Sequence, residues 1–240
     1  MALQGADTAF VLHSVPYKET SLIVELFCRE HGRVPVVAKG AKRPHSALRS
    51  VLLNFQPLAV RFTGKNEVKT LVQAEWCGAL MPPEGKALFA AYYLNELLMQ
   101  GLGREDPHPE LFDLYTRALA DLSDGLELAV VVRQFELDLL QTLGFGLDFE
   151  YDVDGEAVNT DCQYGWIHGR GWVNVHRTRG HLDGETPVVS GHVLHAYHTH
   201  GMSKECALAL KPVTRLILMN ELSPKGLCSR AWMEQLLNHD

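Results

Sequence analysis

From Thr8 to Cys77 the apolar positions come in short runs broken by turn residues, the pattern of a small all-β module. Ala9-Phe10-Val11-Leu12 reads as a first strand ended by Pro16, and Ser21-Leu22-Ile23-Val24-Glu25-Leu26-Phe27 as a second. Glu30-His31-Gly32 turns the chain into Arg33-Val34-Pro35-Val36-Val37-Ala38, where Pro35 indicates an edge or a bulge. Gly and Pro punctuate Lys39-Gly40-Ala41-Lys42-Arg43-Pro44 and make it a loop. Two further strands are expected at 56–63 and 68–75, joined by the turn Gly64-Lys65-Asn66-Glu67. Five short strands in the first 80 residues fit an OB-type barrel, which closes its sheet and so limits exposed edges.

After Pro82-Pro83 the apolar period changes from two to 3.6. Leu88, Ala91, Leu94, Leu98 and Met99 mark one helix that stops near Gly101-Leu102-Gly103. Pro109 opens a second, with Leu111, Phe112, Tyr115, Ala118, Leu119 and Leu122 on one face. A third runs from about Leu126 to Leu143, with Gly144 as its stop. Residues 145–187 lose periodicity and are rich in Gly, Asp and aromatic side chains, an irregular or short-hairpin insertion. Helices resume at about 189–197, 204–222 and 229–237. The chain therefore reads as α+β: a five-stranded OB-type β-barrel over residues 1–80, then a mostly α-helical domain over 81–240 that carries the insertion.

Composition narrows the function classes. The chain has 240 residues, 46% hydrophobic and 21% charged, with no apolar run long enough to span a bilayer and no secretory signal pattern. Five widely spaced cysteines without a C-x-x-C pair fit a reducing, cytoplasmic setting. The formal net charge is -7, but residues 1–80 hold 10 Lys+Arg against 6 Asp+Glu, and residues 81–240 hold 12 against 23. One half is thus suited to polyanions and the other to different partners.

Seven of the twelve histidines lie at 168, 176, 181, 192, 195, 198 and 200, and a metal-dependent hydrolase built on them is the enzymatic alternative. Their spacing matches no H-E-x-x-H or zinc-ribbon pattern, and no G-x-S-x-G elbow, Walker loop or G-x-G-x-x-G is present. A third class is an interaction scaffold whose barrel ignores nucleic acid. The cations of the barrel carry more information. Arg33, Lys39, Lys42 and Arg43 are the first candidates for phosphate contacts, with Arg49, Lys65 and Lys69 second. Phe55 and Phe62 are candidate base-stacking residues, with burial in the core as the competing expectation.

Several short motifs follow one another along the chain in a characteristic order. They run from Phe10-Val11-Leu12-His13-Ser14 and Tyr17-x-Glu19-Thr20-Ser21-Leu22 through Gly32-Arg33 and Val37-Ala38-Lys39-Gly40-Ala41-Lys42. They continue in Gly64-x-x-Glu67-Val68-Lys69-Thr70-Leu71, Tyr93-x-Asn95-Glu96-Leu97-Leu98 and Arg133-x-Phe135-Glu136-Leu137-x-Leu139-Leu140. The last is Lys225-Gly226-Leu227-x-Ser229-Arg230, and in this order and spacing the motifs resemble the bacterial RecO family of DNA-repair proteins. The resemblance implies a non-enzymatic, cytoplasmic, nucleoid-associated recombination mediator. Such a protein binds single- and double-stranded DNA and anneals complementary strands. With RecR (and RecF) it loads RecA on DNA covered by single-strand binding protein, SSB.

The resemblance also implies contact with the acidic, Phe-terminated SSB tail at a helix of the second domain. Arg133, Phe135, Leu139 and Leu140 match that helix, with Arg117 as a neighbour. Some members hold zinc through four cysteines in the insertion. Only Cys162 stands there in this chain, so no metal or other cofactor is expected. The protein alone is expected to be a monomer.

Overall fold

A computed structural model describes residues 5–78, 80–177, 184, 186–222 and 227. The expected helix at 229–237, Cys228, His181 and most of the 225–230 motif lie outside the described residues. Strands β1 (Asp7–Tyr17), β2 (Ser21–Cys28), β3 (Gly32–Ala38), β4 (Leu58–Thr63) and β5 (Lys69–Trp76) close a barrel in the order β1-β2-β3-β5-β4. All neighbours are antiparallel except β3 and β5, which pair in parallel through Val36–Lys69 and Val37–Thr70. Helix α1 (Ala47–Val51), too short for its periodicity to show in the sequence, joins β3 to β4. The α+β class and the five-stranded amino-terminal barrel are both present.

The first half of β1 and most of β2 and β3 are apolar because both of their faces are covered. Ala9, Val11, Val24, Leu26, Cys28, Val34, Val36 and Ala38 fill the barrel with Leu58, Val60, Leu71 and Ala74. The alternate positions Phe10 and Phe27 face outward, yet neither reaches solvent. They pack against Phe112 and Tyr115 of α3 (Pro109–Ser123), at ring-centroid separations of 5.2–6.0 Å. A register shift in β1 between Val11 and His13 leaves Leu12 out of the ladder. Asn95 of α2 (Gly85–Gly101) donates to the Leu12 carbonyl at 2.9 Å and accepts from the buried Tyr115 hydroxyl. Burial holds that phenol above its usual pKa.

These contacts set the division of the chain. Among the described residues the compact units separate at Gly125/Leu126, so α2 and α3 belong to the same compact unit as the barrel. Gly32 contributes to the same packing. Its φ is +67°, and a side chain there would begin 2.1 Å from the Asp106 carbonyl oxygen, so backbone would have to move for any other residue.

The second unit contains α4 (Leu128–Thr142), β6 (Gln163–Ile167), β7 (Gly171–Asn174), β8 (Val188–Ser190), α5 (Gly191–His200) and α6 (Lys204–Glu221). The expected insertion at 145–187 holds the β6–β7 hairpin, and β8 just beyond it completes a three-stranded sheet in the order β7-β6-β8. Its strands are three to five residues long, too short for alternation to stand out. Arg133 is at the centre of the α4–α6 packing. It donates to the Ala207 carbonyl at 3.2 Å and bonds Glu136 and Thr214, all three residues buried.

Candidate nucleic-acid interface

Strand register sorts the barrel's cations into two ends. Because β3 and β5 run in parallel, the loop after β3 and the carboxy-terminal end of β5 share one end with the β1–β2 turn. The β2–β3 and β4–β5 turns lie at the other end.

At that second end Arg29, Arg33, Lys69 and Arg104 are committed to acidic partners or to backbone. Lys69, only 13% exposed, sits 2.7 Å from Glu105. Arg104 bonds Glu25 and Glu67. Arg29 forms a two-pronged bond to Asp113, which raises the pKa of the guanidinium and lowers that of the carboxyl. Arg33 turns to the Met99 carbonyl at 2.9 Å, one of the last-turn acceptors that α2 cannot satisfy within itself. Arg33 and Lys69 were expected at phosphates; in the structure they brace the barrel against its helices. Lys65 is exposed, but at this end.

The first end is different. Lys39, Lys42, Arg43 and Arg49 are exposed, and no acidic partner of theirs is found among the described residues. The loop that carries them is held at several points. Ala41 is buried in the barrel core, and the Lys42 amide donates to the Thr20 carbonyl at 2.9 Å. Gly40 takes φ +72°, which permits the turn closed by Arg43 N–H on the Gly40 carbonyl at 3.0 Å. That turn also brings the β1–β2 hairpin alongside, adding Lys18, whose ammonium lies 5.3 Å from the Tyr17 ring centroid. Glu19 and Glu75 are the exposed acids at this end. The arrangement gives a cationic patch on a loop fixed before any ligand arrives, which lowers the entropic cost of binding a phosphate chain.

Several expected site residues turn out to be interior. Phe55 is 2% exposed and stacks edge-on against Tyr92, so it is core and presents no face to a base. Phe62 is half-buried against His31, away from the cationic loop. In α4, Phe135, Leu139 and Leu140 are fully buried, and Arg133 is spent on Glu136, Thr214 and Ala207. A peptide cannot reach these four without opening the unit, which corrects their assignment to a surface groove. Arg117 is exposed on α3, in the other unit.

The histidines of α5 at 192, 195, 198 and 200 are exposed. Among the described residues no three His, Cys, Asp or Glu side chains converge to hold a metal ion, so the hydrolase alternative finds no assembled site there. Cys28, Cys77, Cys162 and Cys206 are free thiols, and burial pushes Cys28 well above its usual pKa. No helix among the described residues is long and apolar enough to cross a membrane.

Comparison with known proteins agrees with this architecture. Residues 1–80 match the family described as Recombination protein O N terminal, and residues 82–217 match Recombination protein O C terminal. The chain is 45% identical over 233 residues to the DNA repair protein RecO of Azoarcus sp. (strain BH72), covering 96% of each chain. It is 44% identical over 230 residues to that of Aromatoleum aromaticum, covering 95% of this chain and 94% of the relative. It is 48% identical over 186 residues to that of Ralstonia nicotianae, covering 78% and 67%. With both halves matched in order and the Azoarcus and Aromatoleum relatives spanned nearly end to end, the chain belongs to the RecO family of DNA repair proteins.

Proposed function

We propose that the barrel binds single- and double-stranded DNA at the end bearing Lys39, Lys42, Arg43 and Arg49, and that the protein anneals complementary strands there. With RecR it helps load RecA onto SSB-coated single strands, in the cytoplasm, as a mediator that breaks no covalent bond. The observation that carries the reading is the sorting of cations. Among the described residues Lys39, Lys42, Arg43 and Arg49 at one end of the barrel face solvent without acidic partners, while at the other end Arg29, Lys69 and Arg104 are ion-paired and Lys65 is exposed. Fixed, unpaired cations neutralise phosphates, and released counterions drive the association. Contacts of this kind go to the backbone and carry little sequence preference, as annealing of arbitrary strands requires.

The SSB tail remains a proposed partner, but its contact does not run through Arg133, Phe135, Leu139 or Leu140, which are interior. Residues 81–240, with 12 basic against 23 acidic side chains, repel DNA and leave that part of the chain for proteins. Annealing of complementary oligonucleotides coated with SSB tests the proposal. The protein is expected to accelerate annealing over the uncatalysed mixture, and to lose that effect when the SSB tail is removed. Equal rates with and without the protein would refute the mediator reading.

A further inference from the structure

Trp76 ends β5 at the cationic end of the barrel, where it pairs in register with the core residue Leu58. Its side chain is nevertheless 55% exposed. The indole is not loose. Its Nε1–H donates at 3.1 Å to the carbonyl of Val51, the last residue of α1, two positions beyond Arg49. That carbonyl is among those a helix leaves unsatisfied at its end, and it also accepts from the Leu53 amide at 2.8 Å. One hydrogen bond therefore fixes the ring's edge against α1 while much of its surface stays open to solvent. Phe55 and Phe62, the aromatic residues a sequence reading would choose, are buried or half-buried.

We propose that Trp76 is a stacking platform for an unpaired base of a single strand whose phosphates lie along Lys39, Lys42, Arg43 and Arg49. This rests on the nucleic-acid reading above and adds to it a basis for distinguishing strands. Phosphate contacts serve single and double strands alike, but a base within a duplex has its faces covered by its neighbours. A rigid, exposed indole thus favours single-stranded nucleic acid, and it does so for any base because every base has a π-face. The ring enters the complex already oriented, so little rotamer freedom is lost on stacking.

The test compares Trp76→Ala and Trp76→Phe with the unaltered protein by fluorescence anisotropy. The probes are a labelled single-stranded oligonucleotide, a duplex of the same length, and an abasic strand of the same length, all at low salt. Trp76→Ala is expected to weaken single-strand binding by about 5- to 150-fold and to change duplex and abasic binding by less than about twofold. Trp76→Phe, which keeps a π-face but lacks the N–H, is expected to restore most of the single-strand affinity. Unchanged single-strand affinity in Trp76→Ala would overturn the proposal. So would equal weakening on all three probes, or a Phe variant as impaired as the Ala one, since either marks Trp76 as a mere anchor for α1. If the unaltered protein binds none of the probes, the nucleic-acid reading itself fails, a result distinct from failure of the stacking proposal.

Discussion

Replacing Lys39 and Lys42 together by Glu is expected to weaken DNA binding at low ionic strength by at least about tenfold, single and double strands alike. Both side chains are exposed and without acidic partners among the described residues, so the substitutions should leave folding stability within about 0.5 kcal/mol. The sign follows from charge alone: two groups that displaced counterions from phosphate become two that repel it. The slope of log K against log salt should fall in magnitude by about 1.4 on single strands and about 1.8 on duplex, for two lost phosphate contacts. Lys65→Glu reverses a charge at the opposite end of the barrel and, compared with the double variant at 0.1 M salt, should change affinity by less than about threefold, because the Debye length there is only about 10 Å. Anisotropy titrations of the variants at several salt concentrations check both expectations. If Lys65→Glu matches the double variant, the cationic end has been misplaced.

Arg133→Ala should produce the largest loss of stability of any single change considered. The Arg133 and Glu136 side chains are 8% and 4% exposed, and Thr214 beside them is fully buried. Removing the guanidinium takes from Glu136 its buried cation and from the Ala207 carbonyl a side-chain donor, at a cost of about 3–5 kcal/mol. Urea or thermal melting of the variant measures it. Replacing the pair together, Arg133→Met with Glu136→Leu, should recover a large part of the loss, because well-packed apolar side chains avoid desolvating two charges. Were Arg133 instead a surface fork for a peptide carboxylate, Arg133→Ala would melt like the unaltered protein.

The barrel was legible because its strands are apolar runs with turn residues between them, and the signal survives burial on both faces of β1–β3. Where a strand leaves the core it fades: the residues from His13 to Tyr17 are exposed, Pro16 reads as a terminator, and yet β1 continues to Tyr17. The cations show the limit more sharply. Arg33 and Lys39 are equivalent in sequence, both at a Gly-flanked strand end. What separates them is Met99, 66 positions from Arg33 and adjacent only after folding. Lys69 is likewise distinguished by Glu105. Arg133 did carry a local signal, since Glu136 stands three residues on along the same helix and is placed to pair with it. Trp76 carried none: as the last residue of β5 its orientation depends on α1, a five-residue helix without a periodic pattern of its own.

The most direct test of the account is the salt dependence of oligonucleotide binding by the unaltered protein. Four phosphate contacts, one for each of Lys39, Lys42, Arg43 and Arg49, predict a slope of about -2.8 for log K against log salt on a single strand. A slope near zero, or no binding in dilute buffer, would contradict a barrel that holds DNA by its phosphates.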